Sequence, residues 1–190
     1  DCFAPRAAIL DSRGSPSQEI QRTAQTLDKL LVSVKRYVDR VEKALSGARE
    51  FQALPNTAGK GKPLVRALRT VARMIDQRRT LSMSRQIFFV SLGGFDTHDN
   101  QLVDHPKLLA ELSSSVKAFF DAMAEIGMSE QVTLFTQSDF ARTLTSNGDG
   151  SDHAWGGTQL VVGGAVRGGR IYGDYPVLEM GGGLELVEGS

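Results

Sequence analysis

The sequence predicts an α/β fold with a mostly parallel sheet, because two different hydrophobic periodicities divide the chain. In residues 17–80, apolar residues recur every three or four positions, which is typical of amphipathic helices. In residues 85–180 there are short continuous apolar runs, the first of which ends at Gly93, and a long helical pattern separates two of these runs. The 190 residues are therefore interpreted as a single α/β domain or a fragment of one, with a helical N-terminal part and a sheet-forming part.

The helical part contains two predicted helices. The first begins after Pro16 and Ser17 and ends at Gly47, because proline and serine favour helix starts and glycine favours helix ends. A connection rich in proline and glycine, residues 55–63, precedes a second amphipathic helix that begins at Leu64. Neither helix carries residues that suggest chemistry.

The sheet-forming part begins with a strand-helix-strand pattern. Residues 86–92 form an apolar run that predicts a strand buried on both faces, and residues 131–137 form a second run. A helical pattern over residues 102–127 connects them. Since such crossovers are nearly always right-handed and join parallel strands, we expect both strands to end at the same edge of the sheet.

The charge balance excludes one class of partner. Lys and Arg total 22 and Asp and Glu total 22, so the net charge is zero, whereas nucleic-acid-binding domains carry a basic excess. The locally basic residues 60–79 are interpreted as a solvated helix face. No apolar stretch approaches the ~18 residues of a membrane span, and no signal peptide is recognisable in this chain.

Acidic and histidine residues follow the predicted strands. Asp96 and His98 come after the first strand, Asp139 follows the second, and Asp152 and His153 lie downstream. Carboxylate and imidazole are ligands for divalent metals, zinc above all, with manganese, magnesium and calcium as alternatives. Side chains two apart on extended backbone point the same way, so Asp96 and His98 could reach one ion. Adjacent side chains diverge, so Asp152 and His153 are expected to serve different partners, one the ion and one a neighbouring ligand.

Several of these residues have alternative interpretations. Asp139 at a strand end could cap the following segment instead of binding metal. Arg142 could bind an anionic substrate or pair with a nearby aspartate. A serine-hydrolase triad that uses Ser138 or Ser91 is a further alternative, although the Gly-x-Ser-x-Gly elbow is absent from the sequence.

Four segments in this part of the chain resemble a bacterial family known only as a domain of unknown function: residues 88–98, 134–143, 152–157 and 162–169. Members of that family often carry a twin-arginine export signal, and the family is considered related to the alkaline phosphatase and sulfatase superfamily. The resemblance implies a three-layer α/β/α sandwich, alkaline-phosphatase-like, of which this chain is a partial copy. It also implies a periplasmic or exported location.

The resemblance also implies roles for individual residues. Asp96 and His98 match a metal-binding loop, and His153 matches the later histidine that completes the first metal site. Asp139 matches the aspartate of an Asp-His pair, but Phe140 stands where the histidine is expected. The nucleophile of the superfamily has no counterpart in this chain.

These observations predict a metal-dependent hydrolase of phosphate or sulfate esters that acts on a small anionic substrate. The residues assigned to the metal are Asp96, His98, Asp139, Asp152 and His153, and Arg142 is assigned a catalytic role as a clamp on the substrate oxygens. The first alternative is a non-catalytic exported binding or scaffold protein with a degenerate phosphatase-like fold. The second is a structural metal that ties the glycine-rich loop to the sheet.

Overall fold

A computed structural model describes residues 18–56 and 62–174. The described residues fall into two units, one made of residues 18–48 and 77–84 and the other of residues 49–56, 62–76 and 85–174. Pro16, Ser17 and the end of the predicted sheet-forming part after residue 174 lie outside the described residues.

The first unit consists mainly of helix α1, Gln18–Ser46. Its bounds agree with the helix predicted from the three-to-four-residue periodicity, and Gly47 follows its last residue in a turn. Residues 77–84 form turns, in which the amide of Leu81 donates to the carbonyl of Gln77 over 2.9 Å. None of the predicted site residues belongs to this unit.

The second unit contains helices α2, Pro63–Asp76, and α3, Gln101–Glu125, which pack against each other. Pro63 occupies the first position of α2, where its fixed φ fits a helix and its missing N–H costs nothing. Helices α2 and α3, together with residues that precede α2, form a hydrophobic core. Its most buried members are Phe51, Leu54, Leu64, Val65, Leu68, Ala72, Ile75, Phe119, Ala122 and Met123.

Gly127 ends α3 as the sequence predicts. Its φ of +64° is in the left-handed region. The amide of Gly127 donates to the carbonyl of Ala124, and the amide of Met128 donates to the carbonyl of Met123. These are the two hydrogen bonds of a Schellman motif, which satisfies the last carbonyls of the helix. The chain then turns through a short 3₁₀ segment, Ser129–Gln131, towards the first strand.

Four short strands in the described residues form two antiparallel pairs. Strand β1, Thr133–Phe135, pairs with β4, Val161–Gly163, and strand β2, Ala141–Ser146, pairs with β3, Ser151–Ala154. Over the described ranges, no parallel pair joins residues 86–92 to β1. The alkaline-phosphatase-like sandwich therefore stays a prediction.

Residues 86–92 run without strand hydrogen bonds, and only one of their faces is covered. Phe88, Val90 and Leu92 pack against the core, whereas Ile87 is fully exposed and Phe89 is 90% exposed. Successive side chains of an extended segment point to opposite faces, and the described core lies on one face only. The sequence pattern predicted burial on both faces because Ile87 and Phe89 are as apolar as their neighbours.

Candidate metal centre

The segment between residues 93 and 100 carries two of the predicted ligands. Thr97 is buried, while its neighbours Asp96 and His98 turn the other way, as expected for alternate residues of an irregular extended segment. Asn100, with a φ of +52°, then starts helix α3. Burial of Thr97 thus presents Asp96 and His98 on the same side of the chain.

A β-hairpin carries the other histidine. Residues 147–150 connect β2 to β3, and the amide of Gly150 donates to the side chain of Asn147 over 2.9 Å. The hairpin lies directly against residues 93–100. The two backbones are so close that a Cβ added to Gly150 would overlap the carbonyl oxygens of Thr97 and His98. The amide of Gln101 also donates to the carbonyl of Asp149 over 3.2 Å. This close backbone approach brings β3, and with it His153, to Asp96 and His98.

Three ligand atoms form a small triangle at this junction. Asp96 Oδ1 lies 2.7 Å from His153 Nε2 and 3.0 Å from His98 Nε2, and the two Nε2 atoms are 3.3 Å apart. In a tetrahedral zinc site with bonds of about 2.0–2.1 Å, ligand atoms are separated by about 3.3 Å. The three side chains therefore fit a divalent ion after shifts of a few tenths of an ångström.

Asp152 contacts the imidazole of His98 on the side away from the triangle. Its Oδ1 lies 3.0 Å from His98 Nδ1 and also accepts a hydrogen bond from Asn147 Nδ2 over 3.2 Å. With the proton on Nδ1 donated to Asp152, His98 Nε2 has a free lone pair that faces the triangle. Asp152 thus lies where a carboxylate lies behind a metal-binding histidine, whereas Nε2 of His153 is itself a corner of the triangle.

The carboxylate of Asp96 is held by cations and donors on several sides. The pKa of Asp96 lies below its usual value, first because His153 hydrogen bonds to it, against a smaller opposing effect of desolvation. Electrostatic interactions with His98 and His153 and a 3.2 Å hydrogen bond from Arg142 Nη2 lower the pKa further. Asp96 is therefore an anionic carboxylate at neutral pH, which is the form that can bind a metal ion.

Arg142 lies beside the triangle rather than in open solvent. Its side chain is only 12% exposed; Nη1 donates to the carbonyl of Ser151 and Nη2 to that of Phe95, each over 2.6 Å. The predicted role as a substrate clamp requires these donors to be free. These hydrogen bonds favour a role in holding the site together, and a role for Arg142 on substrate stays a prediction.

Asp139 does not join the group. Of the carboxylates and imidazoles in the described residues, Asp96, His98 and His153 form the one set of three that could hold an ion, and Asp139 is exposed outside it. Phe140 does reach the site, since its ring stacks on that of His153 with centroids 3.9 Å apart and an interplanar angle of 7°. Phe140, the residue after Asp139, therefore packs against the candidate ligand His153, although its own side chain cannot bind a metal.

Ser138 makes a local contact that bears on the serine-hydrolase alternative. Its hydroxyl donates to the carbonyl of Phe140 over 2.7 Å, whereas the imidazole of His153 contacts Asp96, His98 and Phe140. A serine nucleophile must hydrogen bond to its histidine base. This contact favours the metal interpretation of the histidines.

A comparison with known protein families identifies a relationship over most of the chain. The family model described as "Protein of unknown function (DUF1501)" matches residues 7–183. The chain belongs to the DUF1501 family. This membership confirms the predicted resemblance to a family of unknown function, while the relation to alkaline phosphatases and sulfatases stays a prediction.

The other comparisons add no relatives. No curated protein and no solved structure matches the chain. Within the described parts of this DUF1501 member, none of the helices combines the length and apolar character that crossing a membrane requires.

The hairpin of β2 and β3 was not identified from the sequence, because residues 147–150 and 155–157 were interpreted only as turns in a glycine-rich region, with a short strand candidate at residues 160–162. A usable signal was present, because Asn147-Gly148 and Asp149-Gly150 are two dipeptides typical of hairpin turns. Gly148 adopts a φ of +119°, which favours glycine. In this member of the DUF1501 family, the hairpin also contributes Asn147 and Gly150 to the site.

Proposed function

We propose that the chain binds one divalent metal ion, zinc foremost, through Asp96, His98 and His153, and that it is a hydrolase of phosphate or sulfate esters. The observation that supports this proposal is the triangle of ligand atoms 2.7–3.3 Å apart. The carboxylate of Asp152 behind His98 adds support, because histidines that bind metal commonly donate their other ring N–H to a carboxylate.

The surroundings of the triangle suit a small anionic substrate. A bound zinc ion polarises an ester oxygen and lowers the pKa of bound water to about 7. The side chains of Asp96, His98 and His153 are 43–60% exposed, so a small molecule can approach them. Asp96 and Asp152 offset the charge of a divalent ion, and the guanidinium of Arg142 leaves the site cationic overall, which attracts phosphate and sulfate groups.

The remaining parts of the proposal rest on the family resemblance. They are an alkaline-phosphatase-like three-layer sandwich, of which the described second unit is a portion, and an exported or periplasmic location. The exposed apolar side chains of Ile87 and Phe89 are compatible with further layers over residues 86–92. Hydrogen exchange on the 190-residue chain tests this, because amides of residues 86–92 in a sheet would be strongly protected.

A non-catalytic role is the second candidate, and two contacts favour it. Both Nη atoms of Arg142 donate to protein oxygens, and the hydroxyl of Ser138 donates to a backbone carbonyl. With these groups engaged, an ion held by Asp96 and the two histidines would stabilise the junction of hairpin and loop instead of acting on a substrate. A binding or scaffold protein with a structural metal has these features.

Metal analysis combined with an activity screen tests the proposal. Protein purified without chelator is expected to carry about one equivalent of zinc, or to take it up when zinc or manganese is added. Turnover of a phosphate or sulfate ester that disappears in His153→Ala would support the hydrolase. A bound ion that raises the melting temperature, with no turnover of any ester, would support the structural role instead. Failure to bind any divalent ion would refute both.

A further inference from the structure

Arg142 connects three segments of the chain at the edge of the ligand triangle. From β2 it donates to the Ser151 carbonyl on β3, and it donates to Phe95 and Asp96 on the segment before α3. These acceptors are arranged around one planar guanidinium, whose donors form a rigid fork that a lysine ammonium lacks. The position of the Asp96 carboxylate relative to the hairpin is therefore tied to this side chain.

A second path leads from Arg142 to His153. The two residues are directly opposite each other in the β2–β3 ladder. Phe140 precedes Arg142 by two residues and has its ring centroid 5.1 Å from the guanidinium carbon, while the same ring stacks on His153 at 3.9 Å. Arg142 therefore contacts Asp96 directly and His153 through the ring of Phe140.

We propose that Arg142 is the positioning residue of this site, which holds the Asp96 carboxylate and, through Phe140, the His153 imidazole in the arrangement that a metal ion requires. Its low exposure and its hydrogen bonds to backbone carbonyls separate this role from that of a substrate clamp. Its Nε is buried and has no hydrogen-bond partner within residues 18–56 and 62–174, so the contacts of this side chain to the site are made by its two Nη atoms. The metal-binding consequence of this role rests on the proposed function.

Cobalt titration of the 190-residue chain tests the role, because Co²⁺ absorbs visibly in tetrahedral nitrogen and oxygen sites. Arg142→Lys and Arg142→Gln are expected to lower cobalt affinity by about 10–100-fold and to change the absorption spectrum, as loss of groups that orient ligands does in other proteins. Arg170→Gln, at an exposed arginine outside the site, is the matched control and should titrate like the wild type. The melting temperature in chelator is measured alongside, to separate metal affinity from stability.

A purely structural Arg142 gives a different result. The Arg142 variants would then melt earlier in chelator yet bind cobalt with wild-type affinity and spectrum, and the proposal would be overturned. If the Arg142 variants do not fold, Phe140→Leu removes the stacked ring while leaving the guanidinium bonds in place. That variant should also bind cobalt more weakly, and wild-type affinity would contradict the path through Phe140.

Failure of the proposed metal site is distinguishable from failure of this inference. If the wild type binds no cobalt, the proposed function is refuted, and NMR of the metal-free protein still decides the role of Arg142. Proximity cross-peaks between the rings of Phe140 and His153, present in the wild type and lost in Arg142→Lys, would support positioning. Cross-peaks that persist unchanged in Arg142→Lys would refute it.

Discussion

His98 Nδ1 lies 3.0 Å from the carboxylate of Asp152, so the opposite nitrogen of the same ring faces Asp96 and His153. The two residues are 54 positions apart in the chain and meet because the hairpin lies against the segment before α3. A proton on Nδ1 would be donated to Asp152, and this contact holds the ring with Nε2 towards the triangle. The contact with Asp152 is the feature of the triangle that most resembles a histidine that binds metal.

Asp152→Asn is expected to lower the affinity for zinc by about 10–100-fold while His98 itself remains in place. The reason is that an amide holds the Nδ1 proton less firmly than a carboxylate and leaves Nε2 less basic. Competition with a chromophoric zinc chelator measures the change. Asp99→Asn, at an exposed aspartate outside the triangle, serves as the control and should leave zinc affinity unchanged.

Substitutions of Asp96 and of Asp139 are expected to have very different effects on zinc affinity, although the sequence assigned both residues to the metal. Asp96→Asn should lose more affinity than the Asp152 variant, because it replaces a ligand atom of the triangle. Asp139→Asn should bind zinc like the wild type, because Asp139 lies outside the group. Calorimetric titration of both variants checks this; a large loss in Asp139→Asn would restore it as a ligand.

Gly150→Ala is expected to reduce the free energy of unfolding by about 1–3 kcal/mol, because the added methyl group must displace the backbone of Thr97 and His98. The same shift should weaken zinc binding, since His98 and the hairpin would move apart. Urea denaturation measures the first effect. Gly156→Ala is the matched control, because no atom lies near its added methyl group; its free energy should change by less than about 0.5 kcal/mol.

Low pH should remove the contribution of the Asp96 carboxylate to the stability of the metal-free protein. The pKa of folded Asp96 is below the value of about 3.9 expected in the unfolded chain, first because of its hydrogen bond from His153. A depressed folded pKa means that the stabilising effect is present above the unfolded pKa and is lost as the pH falls through the folded pKa. In chelator, wild type should be more stable than Asp96→Asn at pH 5–6, and the gap should close below about pH 4. A gap that is constant between pH 6 and pH 2 would contradict the assignment.

Neighbouring phenylalanines in the extended segment provide a test of its packing. Phe88 packs against the core and Phe89 is 90% exposed. Phe88→Ala should cost about 1–3 kcal/mol, below the loss for a fully enclosed phenylalanine, and Phe89→Ala should change the free energy of unfolding by less than about 0.5 kcal/mol. Thermal denaturation of the 190-residue chain compares the two. Equal losses would indicate that both faces are covered, as the predicted sandwich requires.

The helices could be predicted from the chain because their signals are local. A three-to-four-residue period marks α1, α2 and α3, and Gly127 ends α3 through a conformation that glycine adopts most easily. The candidate ligands could also be recognised in the sequence, since Asp96, His98 and His153 are chemically suited to a metal and Asp96 and His98 follow an apolar run. Pairing of β1 with β4, across 25 intervening residues, had no such local signal.

The roles within the site depended on distances that sequence spacing does not encode. Asp139 and Asp152 were both assigned to the metal by sequence, yet Asp139 is exposed outside the cluster and Asp152 contacts the Nδ1 atom of His98. Arg142 became a connecting residue because the hairpin and the preceding loop pack so closely at Gly150 that their carbonyls surround its guanidinium. Local sequence therefore determined the helices and the types of the candidate ligands. Long-range packing decided which partner each charged group has, because electrostatic and hydrogen-bond energies depend on separations of a few ångströms.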